Sequence, residues 1–209
     1  AAAEAQLVPA EALLRPFGGA AHADALLQLA ILDWWGGRYA EAEGRMRDAI
    51  ARLERETAHA AALAGALTTY GALLNDLGRF NEAVATVERT QALIAQGAEI
   101  GARERAGMLG NLGYARHGLG QLDAAIAAHG AALAAYESVL PPVHPDIAVS
   151  LNNQAMALQD AGRRDEALAS FRRSLEVRRQ FAGADNSMTV KAQANLAVHR
   201  GGQDDVVRL

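Results

Sequence analysis

Cysteine is absent from this sequence, which removes disulfides, thiolate metal sites and a cysteine nucleophile from its chemistry. Aromatic residues make up only 5% of the chain, so a core has to be assembled from alanine and leucine, a composition that suits closely packed helices. Proline occurs five times and no long Pro/Gly/Ser tract interrupts the chain, so one ordered body is expected. No apolar run approaches the roughly 20 residues of a membrane span. The formal net charge is -4 and the basic residues are scattered, which leaves no electrostatic footprint for nucleic acid or for an anionic membrane. Lys191 is the only lysine among 20 basic residues, a skew that GC-rich bacterial coding produces.

Enzyme signatures are missing too. The six histidines never stand four apart with a supporting carboxylate, so there is no zinc helix of the HExxH kind. The stretches GARERAG and GLGQLDAA lack the preceding strand that a phosphate-binding glycine loop needs. Acidic residues are numerous but distributed as on solvated helix faces, and RRSLEVRR at 172–179 reads the same way. No catalytic residue, metal ligand or cofactor is assigned, and the chain is expected not to be an enzyme.

What is present is a repeat. The strings GRYAEA (37–42), GRFNEA (78–83), GQLDAA (120–125) and GRRDEA (162–167) share one pattern, and their glycines are separated by 41, 42 and 42 residues. A decayed fifth copy, GQDD, starts at Gly202. Eleven residues before each of the first four glycines stands a leucine: Leu26, Leu67, Leu109 and Leu151. Seven before it the residue is small, as Ala30, Gly71, Gly113 and Ala155 show; five after it comes alanine, at 42, 83, 125 and 167. Twelve after it stand Ala49, Thr90, Ala132 and Ser174. Small residues on adjacent helices let backbones approach closely, with the leucine and the residue at plus nine (Met46, Val87, His129, Phe171) filling the space beside them. The glycine ends the first helix and permits a tight reversal, so each copy reads as an antiparallel helical hairpin.

This grammar of leucine, small residue, turn glycine and small residues resembles the tetratricopeptide repeat. The 42-residue period is longer than that family's usual 34 and is similar to the kinesin light chain type, as is HPDIAVSLNN at 144–153, where Pro145 and Asp146 suit the first turn of a helix. The resemblance implies an all-α fold, a right-handed superhelical α-solenoid of antiparallel helix-turn-helix repeats. First helices are expected near 22–35, 60–77, 102–118, 146–161 and 187–199, and second helices near 39–56, 80–97, 122–139 and 164–181. The chain divides accordingly into a helical segment at 1–21, residue of a preceding repeat; four repeats over 22–185; and a partial fifth repeat or capping helix at 186–209. The opening AAAEAQ, without methionine, reads as a fragment of a longer protein.

In the resembled family the first helices line a concave groove, and function is expected there. Nine residues before the turn glycines stand Gln28, Thr69, Asn111 and Asn153, continued by Asn195: a polar column whose amides can hold an extended peptide by its backbone or bond to neighbouring repeats. The columns beside it add Asn152, Tyr114 and the minus-three set of Trp34, Asn75, His117 and Gln159. The expected peptide or partner-binding residues are Trp34, Asn75, Asn111, Tyr114, His117, Asn152, Asn153 and Gln159. Trp34 is a candidate aromatic anchor, whereas Trp35 is expected to pack against residues 1–20 and His129 to lie in the core. The groove columns carry no lysine or arginine, which argues against gripping a carboxylate.

The function implied is a non-enzymatic protein-interaction module that binds a peptide or partner protein in its groove. The alternative is a sensing region of a larger bacterial signalling protein such as a kinase, a nucleotide-switched regulator or a transcription factor. No nucleic acid, membrane or cofactor is expected as a partner; self-association through exposed repeat ends is open. The expected compartment is the cytoplasm, with an exported protein whose signal has been removed as the other option.

Overall fold

The computed structural model describes residues 19–55 and 59–183, with 186, 189 and 193 beyond them. The described chain is eight helices: α1 (Gly19–Trp35), α2 (Tyr39–Leu53), α3 (Ala60–Asp76), α4 (Phe80–Ala95), α5 (Ala102–Gly118), α6 (Leu122–Glu137), α7 (Pro145–Asp160) and α8 (Arg164–Ala182). These lie within a few residues of the expected helices. Residues 1–18 of the anticipated N-terminal segment and the fifth-repeat helix at 187–199 fall outside the described residues, apart from positions 189 and 193. The molecule divides into two compact units, Ala1–Glu104 and Arg105–Leu209, so that the first holds repeats 1 and 2 and the second holds most of repeat 3 with repeat 4.

One backbone device closes every first helix. The turn glycines Gly37, Gly78, Gly120 and Gly162 have φ of 76, 71, 73 and 76°, a left-handed conformation that a side chain would strain. In each, the glycine N–H bonds the carbonyl three residues back and the next N–H bonds the carbonyl five back. Gly78 thus reaches Asn75 at 3.0 Å while Arg79 reaches Leu74 at 2.9 Å. This double closure satisfies the carbonyls that a helix end otherwise orphans. The residue after the glycine starts the second helix without a side-chain cap to the backbone; in repeats 2 and 4 it is an arginine bound to the glutamate three residues on, at 2.7 Å for both Arg79–Glu82 and Arg163–Glu166. Helix α7 opens differently: His144 Nδ1 accepts from the Asp146 N–H at 3.1 Å, with Pro145 in the first turn.

The packing columns are buried as their spacing requires. Ala30, Ala42, Ala83, Ala125 and Ala155 are fully buried, and Ala49, Thr90, Ala132 and Ser174 are at most 1% exposed. Small side chains there leave gaps that the plus-nine residues Met46, Val87, His129 and Phe171 fill, none of them more than 4% exposed. The fit is tight where the small residue is glycine. A Cβ on Gly113 would stand 2.6 Å from the His129 ring, and one on Gly71 would stand 2.8 Å from Thr86 Oγ1. His129 is therefore a core residue, and repeat 3 holds an imidazole because Gly113 makes room for it. In the second unit Ser174 Oγ donates to the Ala148 carbonyl at 2.6 Å, a buried bond between helices in the plus-twelve column. Around it, Phe171, Leu158, Leu168 and Leu175 form one apolar cluster and Ile147, Leu151, Leu133 and Val177 another.

Candidate functional site

The minus-ten, minus-nine, minus-six and minus-three columns share one face of each first helix, because offsets of one, four and seven residues return to the same side at 3.6 residues per turn. On that face Gln28 is exposed, while Thr69, Asn111 and Asn153 are half-buried; Asn195 lies outside the described residues. Asn152 is half-buried beside Asn153, and its Nδ2 donates to Met156 Sδ at 3.6 Å. Tyr114 and Met156, both at minus six, are 45% and 43% exposed. In the second unit the face therefore combines amides with a ring and a thioether, polar handles beside adaptable apolar surface.

The minus-three column behaves otherwise. Trp34 Nε1 donates to Asp76 Oδ2 at 2.9 Å, and His117 Nε2 lies 2.7 Å from Asp160 Oδ2. Each acid stands two residues before the next repeat's turn glycine, so the same pair of columns joins repeat 1 to repeat 2 and repeat 3 to repeat 4. These bonds went unread in the sequence, although a donor recurring one repeat before an acid at fixed offset was visible there. Asn75 is 6% exposed and stands behind the surface, whereas Gln159 is half-buried on it. Trp35 is 78% exposed at the end of α1, and residues 1–18, against which it is expected to pack, lie outside the described residues.

Second helices carry a matching tie. Arg89 pairs with Glu54 and Arg173 with Glu137, again through one pair of columns in each unit. In the first unit a larger polar knot adds to this: Tyr70 donates to Glu43 at 2.9 Å and accepts from Arg47 at 3.0 Å, while Arg79 reaches Glu43 at 2.7 Å. Burial pushes the Glu43 carboxyl up, but the hydrogen bonds from Arg79 and Tyr70 outweigh it and hold the group below the usual carboxylate range. Asp33, 2% exposed, is held by Arg38 at 2.8 Å and by Arg45. These clusters bind repeat to repeat or helix to turn. They are structural in geometry, since every charged group faces a partner from the same chain.

A cavity of about 350 Å³ opens on the first-helix face of the first unit. Asp24, Leu27, Gln28 and Ile31 of α1 form one wall, at helical spacing, and the short side chains of Ala61, Ala62 and Gly65 on α3 leave the space opposite. Leu53 closes it from the end of α2, and Glu104 adds a carboxylate from the first turn of α5. Among the described residues no group of three or more His, Asp or Glu is placed to hold a metal, and no helix is long and apolar enough to cross a membrane.

Residues 104–180 and 146–205 match the sequence model of the tetratricopeptide repeat. No curated protein matches the chain. Among solved structures, BtubC (BKLC) from P. vanneervenii is 19% identical with a TM-score of 0.76, covering 95% of this chain and 83% of that one. A Podosopora anserina chain of nearly identical TPR-like repeats, of kinesin light chain type, is 18% identical with a TM-score of 0.69 over 88% of this chain and 90% of its own. Aspartyl phosphate phosphatase F from Bacillus subtilis is 13% identical, TM-score 0.69, with 88% of this chain matching 46% of it. At these identities the likeness is one of fold. Residues 104–205 are thus of the tetratricopeptide-repeat family, the same leucine, small-residue and turn-glycine columns run through repeats 1 to 4, and the fold resembles that of kinesin light chain repeats.

Proposed function

We propose that this chain is a non-enzymatic interaction module that binds a peptide or partner protein on the first-helix faces of its repeats. The observation that carries the reading is the contrast between columns. Side chains of the packing columns are buried and the charged ties are satisfied internally, while Asn111, Tyr114, Asn152, Asn153 and Met156 remain at least partly open on one face of the second unit. Asparagine amides offer donor and acceptor together and so fit a peptide backbone, and the exposed ring and thioether supply contact area. His117 and Gln159 border the same face of the second unit, while in the first unit Trp34 lies on the corresponding face of α1 and Asn75 is buried on α3. A sensing region within a larger signalling protein would use the same face.

The test is a partner captured with the purified chain, identified by mass spectrometry and confirmed by NMR to contact the second unit. Replacing Asn111, Asn152 and Asn153 together by alanine is expected to weaken its binding at least tenfold with the helical circular dichroism unchanged. Unaltered affinity for that confirmed partner sinks the proposal.

A further inference from the structure

The cavity in the first unit has a chemistry of its own. Its walls offer oxygen: the carboxylates of Asp24 and Glu104, the Gln28 amide and the hydroxyls of Thr68 and Thr69. Both threonine hydroxyls give their protons to backbone carbonyls within α3, Thr68 to Ala64 at 2.9 Å and Thr69 to Gly65 at 3.1 Å. Glu104 spends one oxygen on the Gly101 N–H at 2.8 Å and keeps the other. Several acids elsewhere are matched by arginine, among them Asp33, Glu43, Glu54, Glu82, Glu137 and Glu166. Asp24 and Glu104 have no cationic partner among the described residues, and none of the residues lining the cavity is basic. Two uncompensated carboxylates at one concavity make a negative potential focused by low-dielectric walls.

The remaining lining is apolar. Leu27, Ile31, Leu53 and Ala66 lie along the cavity, and at about 350 Å³ it falls in the size range of pockets that enclose a small ligand group. We infer that this cavity receives the arginine side chain of a partner peptide, its methylenes laid on Leu27, Ile31 and Ala66 and its guanidinium between Asp24 and Glu104. The match is one of shape and of sign: a long apolar stem ending in a planar cation with five donors meets an apolar trough ending in acceptors. Charge complementarity selects against an acidic peptide, whose carboxylates meet like charge with no basic group to receive them. This assigns a partner chemistry to the interaction-module reading and rests on it, but it concerns the first unit, where the asparagines of the second take no part.

Three capped pentapeptides of alanine and leucine, with arginine, citrulline or glutamate at the centre, test the assignment by NMR titration of the full chain at low salt. Citrulline keeps the shape of arginine and removes its charge. The arginine peptide is expected to shift the amides of residues 20–31 and 61–69 and to bind at least tenfold more tightly than the citrulline peptide. Asp24→Asn and Glu104→Gln, which preserve size and the Gly101 contact, should each erode that preference, with helical circular dichroism unchanged. Equal binding of arginine and citrulline, preference for glutamate, shifts mapping elsewhere, or no binding of any peptide overturns the inference. Because the asparagine substitutions are scored on the second unit and the peptides on the first, failure of the one reading is distinguishable from failure of the other.

Discussion

His129 carries the most quantitative consequence of this packing. Its ring is 1% exposed in a column otherwise filled by Met46, Val87 and Phe171, and burial, with a further contribution from the nearby His117, pushes its pKa from 6.5 down to about 4. The fold therefore prefers the neutral imidazole, and the unfolded chain takes up the proton first. Stability from this group is fully present above pH 6.5 and is lost as the pH falls toward 4. The shift corresponds to about 3 kcal/mol when the loss is complete, and to about 2 kcal/mol at pH 5 relative to pH 7.5. Urea unfolding followed by far-ultraviolet circular dichroism at those two pH values measures it. The paired control is His129→Met, which restores the column's ordinary residue type at similar volume. The chain's other ionisable groups act equally in both proteins, so the quantity to compare is the difference between them. The wild-type chain should lose about 2 kcal/mol more than the variant between pH 7.5 and 5. Equal losses in the two would refute the reasoning, since they would mean that His129 is as easily protonated folded as unfolded.

Two further outcomes follow from the repeat interfaces. Gly113→Ala places a methyl 2.6 Å from the His129 ring, which has no room to retreat; the overpacking should outweigh the helix-propensity gain by about 1–2 kcal/mol, read as a lower melting temperature that combining it with His129→Ala partly restores. For the Trp34–Asp76 hydrogen bond, exposed to solvent, a double-mutant cycle of Trp34→Phe and Asp76→Ala should give a coupling of about 0.5–1 kcal/mol in urea unfolding, and a coupling of zero would remove the tie from the account of how repeat 1 holds repeat 2.

Much of the fold was legible because a repeat samples the same physics several times. Leu26 or Ala42 alone says little, but leucine at minus eleven and alanine at plus five in four copies record a helix pair whose close approach admits nothing larger. The turn glycines were legible for a similar reason: only a residue without a Cβ adopts φ near 73° there without strain. Function left a weaker trace. The polar minus-nine column could be found by counting, yet counting gave Trp34, Asn75, His117 and Gln159 one common role that their surroundings divide.

By itself, the amino-acid sequence determined the helices, their hairpin pairing and which residues meet at the close contacts, since helical period and residue size are local properties that spacing preserves. Only the tertiary structure decided what the polar residues do. Whether Trp34 meets a ligand or Asp76, whether Asn75 is open or buried, and whether Asp24 is compensated by an arginine depend on neighbours roughly one repeat away. A side chain's polarity is written in the sequence; the partner that satisfies it is set by which helices pack together.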